Sequence, residues 1–169
     1  CALDLMKRGK LKDQVLVTTV MSNVGLNKAM KEHGGSTVKT GVGDRYVLEE
    51  MLAHDYKLGG EQSGHIIFSK HATTGDGILT SLKVMEVMLE KKESLAKLAS
   101  EVEIYPQVLK NVRVHDKQIA QDDPAVQAEV AKVTEALGNN GRILLRQSGT
   151  EPVVRVMVEA PPKKCAKAM

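Results

Sequence analysis

The chain has 169 residues, of which 42% are hydrophobic and 27% charged, and this composition allows one medium-sized globular domain or two small ones. A net charge of +3 is too small to indicate a nucleic-acid partner, and 2% aromatic residues without tryptophan offer few rings on which bases could stack. The most apolar stretch, near Val15–Met21, is too short to span a membrane.

Two cysteines, Cys1 and Cys165, lie at opposite ends of the chain and form no redox or metal-binding spacing. We therefore expect no disulfide framework and a reduced, cytoplasmic setting. No signal peptide is recognisable at the start of the sequence. At the other end, Lys163, Lys164 and Lys167 contribute part of the positive charge.

Helical and strand-like patterns alternate in the first hundred residues. Gln14–Val20 is a nearly continuous run rich in β-branched residues, which predicts a strand buried on both faces. The other predicted strands are Ser36–Thr40 and His65–Phe68, and the predicted helices are Ala2–Arg8, Asn23–His33, Asp44–Ala53, Gly75–Glu90 and Leu95–Ser100. In the longest helix, apolar residues at helical spacing predict an inward-facing stripe of Ile78, Leu82, Met85 and Leu89. This alternation is typical of an α/β sandwich with a mainly parallel sheet.

The composition changes around residues 101–107, where Pro106 interrupts the pattern. We predict a linker there, between a domain at residues 1–100 and a second domain at residues 108–169. The elements predicted in the second domain are a strand at Val108–His115, a helix that begins at Asp123-Pro124, and strands at Arg142–Arg146 and Val153–Glu159. An aspartate followed by a proline is a strong helix-start signal. The order strand, helix, strand, strand predicts a small α+β domain.

Two loops share one arrangement, in which a charged side chain precedes a Ser-Gly pair by two residues. The first loop reads GEQSGH over residues 60–65, and the second reads RQSGTEP over residues 146–152. Glycine lets backbone N–H groups face a ligand, a carboxylate accepts sugar hydroxyls, and a guanidinium matches the oxygens of a phosphate. The candidate sugar-binding residues are Glu61, Ser63 and His65, and the candidate phosphate-binding residues are Arg146, Ser148, Gly149, Thr150 and Arg155.

Each loop also has a plainer interpretation. The local sequence is also consistent with an ordinary turn in which Glu61 faces water, and with a hairpin turn in which Arg146 is a surface charge. His65 either reaches a phosphate or packs beside the following strand. Arg155 alternates with its valine neighbours, so its side chain points either at a phosphate or into solvent.

The remaining polar candidates fit local structural roles better than metal binding. Asp44 stands where a helix is predicted to begin, which fits a helix N-cap, and its role is left open. Asp76 stands alone between two glycines, which makes a poor Mg²⁺ site, so we predict that it caps the following helix. The histidines without metal-ligand spacing are His33, His54, His71 and His115. We expect no metal site in this chain.

Two further motifs accompany these loops, namely TGVGDRYV at Thr40–Val47 and TTGDG at Thr73–Gly77. With all four motifs, the chain resembles the α-D-phosphohexomutases from about Cys1 to Glu159. The resemblance is closest to the bacterial members that act on glucosamine phosphate, although that family more often reads RPSGTEP in the second loop. It implies that the first loop is the sugar-binding loop of a third domain. The second loop is then the phosphate-binding loop of a fourth domain, which is TATA-binding-protein-like.

The same resemblance implies functional parts that this sequence does not contain. In the family, the transferred phosphoryl group sits on a serine of the first domain, and Mg²⁺ is bound by a DGDxDR loop of the second. Neither motif occurs here. We therefore expect a fragment that holds the last two of four domains, works with the missing N-terminal domains and is inactive alone.

The activity implied for the full-length enzyme is interconversion of glucosamine 6-phosphate and glucosamine 1-phosphate through a phosphoserine and a 1,6-bisphosphate intermediate. This reaction feeds UDP-N-acetylglucosamine and cell-wall synthesis. Two alternatives stay open, namely the same reaction on mannose or glucose phosphates and a non-catalytic module that binds sugar phosphates. The expected ligand is a hexosamine phosphate, no nucleic acid or membrane is expected, and a homodimer is left open.

Overall fold

The computed structural model of the chain describes residues 1–161, which form two units. The first unit is Cys1–Glu103, and the second begins at Ile104. The lysines at positions 163, 164 and 167 and the cysteine at position 165 lie outside the described residues. Each unit has its own sheet and its own apolar core.

The first unit is built around a four-stranded sheet. Its strands are β1 Val15–Thr19, β2 Ser36–Thr40, β3 Leu58–Gly60 and β4 Ile66–Phe68, in the spatial order β2-β1-β3-β4. Strand β1 is parallel to β2 and to β3, whereas β4 is antiparallel to β3. The helices are α1 Ala2–Lys7, α2 Val24–Glu32, α3 Asp44–His54, α4 Gly77–Lys91 and α5 Leu95–Ala99. The predicted α/β sandwich with a mainly parallel sheet is confirmed.

Strand β1 lies inside the sheet, and all five of its residues are buried. Neighbouring residues of a strand point to opposite faces of the sheet. Leu16 belongs to an apolar cluster with Met30 of α2, whereas Val17 belongs to a second cluster with Val47 and Met51 of α3. Helices therefore cover both faces, which explains why β1 is a continuous run of residues suited to burial.

Helix α4 packs with a different face from the one predicted. The stripe expected to point inward is exposed, with 76% of Ile78, 56% of Leu82, 47% of Met85 and 78% of Leu89 accessible to solvent. The helix instead packs through another apolar face, on which Val87 is buried. The prediction was wrong because α4 is apolar on more than one face, and spacing alone does not tell which face meets the rest of the unit.

Within residues 104–161, the second unit is a three-stranded antiparallel sheet with two helices. Its strands are β5 Gln107–Arg113, β6 Arg142–Gln147 and β7 Val153–Glu159, in the order β5-β7-β6, and its helices are α6 Lys117–Asp122 and α7 Pro124–Leu137. The side chain of Asp123 accepts hydrogen bonds from two N–H groups of α7, which confirms the predicted start of that helix. Helix α6 is not among the predicted elements. The predicted small α+β domain is confirmed, and the predicted elements differ from the observed ones by at most two residues at either end.

The face of this sheet that points away from α7 is partly charged. Val158 packs against Leu137 of α7, so Arg155 and Glu159 of the same strand point to the opposite face. Arg142 lies across from Glu159 and donates from Nε to Oε2 at 2.7 Å, and Glu159 is fully buried. This buried ion pair therefore connects β6 to β7.

Candidate functional site

Three loops come together at one edge of the first unit's sheet. They span residues 41–43, 61–65 and 73–76, of which the first two follow β2 and β3 and the last precedes α4. Because β1, β2 and β3 are parallel, loops at their carboxyl ends lie at the same edge. Hydrogen bonds join the loops, since Gly43 N–H donates to Glu61 Oε1 at 2.9 Å and Gly75 N–H donates to His65 Nε2 at 3.1 Å. We call this the three-loop cluster.

The loop 61–65 is a tight turn between β3 and β4. Glu61 N–H donates to the carbonyl of His65 at 3.0 Å, and Gly64 N–H donates to the carbonyl of Glu61 at 3.1 Å. Gly64 has a φ of 90°, a value that favours glycine, and Ser63 is exposed to solvent. The backbone is therefore an ordinary turn, but the carboxylate of Glu61 binds a neighbouring loop instead of facing water.

His65 has two neighbours that require different states of one ring nitrogen, Nε2. The N–H of Gly75 donates to Nε2 only when this nitrogen is unprotonated, whereas Asp44 Oδ2, 3.3 Å away, accepts from Nε2 only when it is protonated. A Cβ atom at Gly75 would lie 2.4 Å from the ring, so glycine permits this close approach. The ring is thus held between two loops, with a hydrogen-bond partner available in either state.

Asp44 and Asp76 have different roles. Asp44 is not the N-cap of α3, because the non-helical dihedral angles of Gly43 make that residue the N-cap and Asp44 the first helical residue. One oxygen of Asp44 faces His65 instead, which brings the residue into the three-loop cluster. Asp76 accepts hydrogen bonds from two N–H groups of α4, which confirms that it caps this helix.

Two arginines face each other across the second unit's sheet. Arg146 of β6 and Arg155 of β7 are register partners, so their side chains leave the sheet on the same face. Both Nε atoms are buried, and neither has a hydrogen-bond partner among residues 1–161. The pKa of Arg146 is lowered mainly by burial of its side chain, and the charge of Arg155 lowers it further. Arg155 pairs with Glu151 at 2.9 Å, but no acidic side chain of the described residues pairs with Arg146, so the arginine pair keeps an excess of positive charge.

Ser148 organises the loop between these two strands. It is buried, and its Oγ accepts from the N–H of Glu151 at 3.2 Å. Lys117 of α6 donates to the carbonyl of Ser148 at 2.8 Å and adds a third positive charge. Within residues 1–161, the N–H groups of Gly149 and Thr150 have no hydrogen-bond partner, and a Cβ atom at Gly149 would meet nothing within 4 Å. The loop therefore offers free N–H groups and open space close to the arginine pair, and Lys117 is a candidate that the sequence analysis missed.

The described residues do not fit a magnesium ion. No group of three or more His, Cys, Asp or Glu side chains within residues 1–161 could hold a metal ion, and Asp76 already uses one oxygen to cap α4. In the same part of the chain, every helix is too short or too polar to cross a bilayer.

Two family models match almost the whole chain. The model of the phosphoglucomutase/phosphomannomutase α/β/α domain III matches residues 1–105, and the model of the C-terminal domain of the same family matches residues 109–169. The chain belongs to this phosphoglucomutase/phosphomannomutase family. The resemblance seen in the four sequence motifs is thereby confirmed.

Curated relatives of the chain are named phosphoglucosamine mutase. The protein from Lachnospira eligens is 64% identical over 153 residues, which cover 90% of this chain and 34% of the relative. The protein from Leifsonia xyli subsp. xyli is 55% identical over 168 residues, which cover 99% of this chain and 37% of the relative. The chain thus spans about a third of the length of the curated relatives it matches.

Solved structures of phosphohexomutases share the fold. An Aspergillus fumigatus N-acetylphosphoglucosamine mutase, in complex with GlcNAc-6P and magnesium, has a TM-score of 0.78 and 21% identity, with 99% of this chain and 42% of that chain covered. An N-acetylglucosamine-phosphate mutase in its substrate complex has a TM-score of 0.77 and 23% identity, with 99% of this chain and 40% of that chain covered. At this identity the similarity shows the fold alone, and it agrees with the predicted fold class.

Proposed function

We propose that this chain is the substrate-recognition part of a phosphoglucosamine mutase, an enzyme that interconverts glucosamine 6-phosphate and glucosamine 1-phosphate through a phosphoserine and a 1,6-bisphosphate intermediate. Identities of 51–64% to proteins of that name support the proposal. The observation that carries it is the pair of Arg146 and Arg155, whose buried Nε atoms lack a hydrogen-bond partner among the described residues.

The second loop offers the groups by which a phosphate is bound. A guanidinium donates two parallel hydrogen bonds to phosphate oxygens, and a dianion between two guanidinium groups offsets their mutual repulsion. Arg146 and Arg155 have the matching register, and Lys117 supplies further positive charge. The free N–H groups of Gly149 and Thr150 add backbone donors of the kind found in anion nests.

The first loop offers the groups by which a sugar is bound. One oxygen of Glu61 accepts from Gly43 N–H, and the other has no hydrogen-bond partner within residues 1–161, so it is available to a sugar hydroxyl. The hydroxyl of Ser63 is exposed, and Nε2 of His65 donates or accepts according to whether it carries a hydrogen. We propose that Glu61, Ser63 and His65 bind the hydroxyls of a hexosamine phosphate.

In this proposal the chain holds the substrate, and the reacting groups lie elsewhere in the full-length enzyme. Phosphoryl transfer depends mainly on positioning and on stabilisation of charge, which are the tasks of the two loops. The serine that carries the phosphoryl group, and the loop that binds Mg²⁺, belong to the domains that precede domain III. We therefore expect a cytoplasmic enzyme whose isolated C-terminal part has no mutase activity.

The phosphate role is tested by NMR titration of this chain with inorganic phosphate, in wild type and in the variants Arg146→Ala and Arg113→Ala. Arg113 is an exposed arginine at the end of β5, so its variant removes the same charge outside the arginine pair. We expect phosphate to shift the amide signals of residues 146–151 in wild type and in Arg113→Ala, but not in Arg146→Ala. Equal shifts in all three proteins would contradict the proposed phosphate site.

The sugar role is tested with glucosamine 6-phosphate and with phosphate-free glucosamine. We expect both ligands to shift signals of residues 61–65, and Glu61→Gln to reduce these shifts because an amide offers one acceptor oxygen instead of two. Shifts confined to residues 146–151 would leave an anion site without sugar recognition. Turnover of glucosamine, mannose and glucose phosphates by the full-length enzyme then determines the preferred hexose.

A further inference from the structure

The carboxylate of Asp44 is held in a fixed direction beside the loop proposed to bind sugar. Asp44 is the first residue of α3, and its Oδ1 accepts from the N–H of Arg45 at 2.9 Å. A carboxylate is favoured at this end of a helix, where unpaired N–H groups concentrate partial positive charge. Its other oxygen, Oδ2, lies 3.3 Å from Nε2 of His65. One oxygen is therefore bound within α3, and the other faces the three-loop cluster.

The second oxygen of Asp44 lacks a donor whenever His65 accepts from Gly75. The N–H of Gly75 donates to Nε2 at 3.1 Å, so in that state Nε2 presents a lone pair and carries no hydrogen. Two acceptors then face each other at 3.3 Å, which is unfavourable unless a further donor reaches the carboxylate. No other side chain among residues 1–161 pairs with Asp44, because the neighbouring Arg45 donates to Glu49 at 2.7 Å. The arrangement is completed by a donor from outside the described residues.

We propose that Asp44 binds the ammonium group of an amino-sugar phosphate and thereby selects it over the neutral hexose phosphate. The inference rests on the proposed function, in which Glu61, Ser63 and His65 bind the sugar. A primary ammonium group carries three donors and a full positive charge. It therefore supplies Oδ2 of Asp44 with both the missing hydrogen bond and a compensating charge. A hydroxyl at the same position supplies only a neutral hydrogen bond, which is weaker than a charge-assisted one.

The charges around the loop 61–65 favour a cation as well. Glu61 accepts from the N–H of Gly43, the residue that precedes Asp44, so two carboxylates adjoin this loop. The second oxygen of Glu61 has no partner within residues 1–161. Arg45 is the nearest cation in sequence, and its charge is already balanced by Glu49. A ligand with a positive group next to its hydroxyls therefore complements this end of the sheet better than a neutral sugar does.

The test compares glucosamine 6-phosphate with glucose 6-phosphate in NMR titrations of this chain at about pH 7. The ligands share the phosphate and differ only at the second carbon, where an amino group that titrates near the α-amino range of about 7.7–8.0 is mostly charged. We expect the signals of residues 61–65 to report roughly fivefold tighter binding of glucosamine 6-phosphate, the size of an exposed ion pair.

Two variants locate the source of this preference. Asp44→Asn keeps the shape and one acceptor oxygen but removes the charge, so it should make the two affinities equal by weakening only glucosamine 6-phosphate. Asp55→Asn is the matched control, because Asp55 ends the same helix and has a φ of 57°, which asparagine also adopts. It should keep the wild-type preference.

Several outcomes would overturn the assignment. Equal affinity of the wild type for the two ligands would do so without any variant. Equal weakening of both ligands in Asp44→Asn would mean that Asp44 positions His65 and does not recognise the amino group. Loss of the preference in Asp55→Asn as well would attribute it to overall charge. In each of these cases both sugar phosphates still bind at residues 61–65. Signals of these residues that respond to neither ligand would contradict the proposed sugar site itself, so the two failures are distinguishable.

Discussion

Replacing Arg146 by methionine should stabilise the second unit in the absence of an anion. Methionine keeps an apolar stem but removes the charge that faces Arg155 and the buried Nε that lacks a partner among the described residues. A buried donor without a partner costs about 1–3 kcal/mol. Since one partly buried group is removed, we expect the free energy of unfolding to rise by about 1 kcal/mol, the lower end of that range. Urea unfolding, followed through the amide signals of β7, reads this unit without interference from the first.

The pKa of Arg146 gives the pH dependence of this gain. A lowered pKa means that the charged form of the base is disfavoured in the folded state. The penalty is therefore present wherever arginine is charged in both states and disappears only at strongly alkaline pH. The gain in the free energy of unfolding of Arg146→Met should thus be constant between about pH 5 and pH 9.

Arg142 provides the matched control because it lies four residues earlier in β6, on the same face, but pairs with the buried Glu159. Arg142→Met breaks a buried ion pair, so it should lower the free energy of unfolding by about 3 kcal/mol. With phosphate at a hundred times its dissociation constant, wild type should gain about 2.7 kcal/mol and Arg146→Met should gain nothing. If Arg146→Met instead destabilises the anion-free unit by as much as Arg142→Met, the guanidinium is a structural group and the argument for a phosphate site fails.

Three glycines and the charge of the ligand provide further tests. Gly25→Ala should lower the free energy of unfolding by about 2 kcal/mol, because its Cβ would lie 1.7 Å from the carbonyl oxygen of Glu103. Gly77→Ala, whose Cβ meets nothing within 4 Å, should raise the free energy of unfolding by up to about 1 kcal/mol in the same urea titration, and equal effects would contradict the packing. Gly75→Ala should displace the ring of His65 and weaken the glucosamine shifts of residues 61–65 while the phosphate shifts of the second loop persist; loss of both would indicate general unfolding. Affinity for a sugar phosphate should fall below about pH 6, where a phosphomonoester loses its second charge, and a flat pH profile would exclude recognition of the dianion.

The architecture could be predicted because local pattern and burial agree in most elements. The run at β1 is apolar on both sides because helices cover both sides, and Asp76 and Asp123 stand where helix N-caps are favoured. The sequence could not predict which apolar side of α4 is buried. Residue spacing makes the two sides equivalent, and only tertiary packing distinguishes them. Helix α6 has six residues, too few for its apolar spacing to be recognised.

The groups that surround each candidate residue were less predictable than the candidates themselves. The pairing of Arg146 with Arg155 depends on the register of β6 and β7, which the turn between them sets and the alternation of side chains does not. The contact of Asp44 with His65 depends on two loops that are distant in sequence but lie at one edge of a parallel sheet. That topology was itself predicted, so the convergence of these loops is a signal that could have been used.

The features that point to function in this chain are those that its own residues leave incomplete. Most buried groups are satisfied internally, as in the core around Val17 and the pair of Arg142 with Glu159. The arginine pair and the exposed apolar side of α4 are different, because each is unfavourable in the chain as described, by charge repulsion in the first case and by exposed apolar surface in the second. Each incomplete feature also indicates the chemistry that completes it. The buried Nε atoms of Arg146 and Arg155, which lack a hydrogen-bond partner among residues 1–161, favour an anion and support the proposed phosphate site. The exposed apolar side of α4 favours contact with another apolar surface.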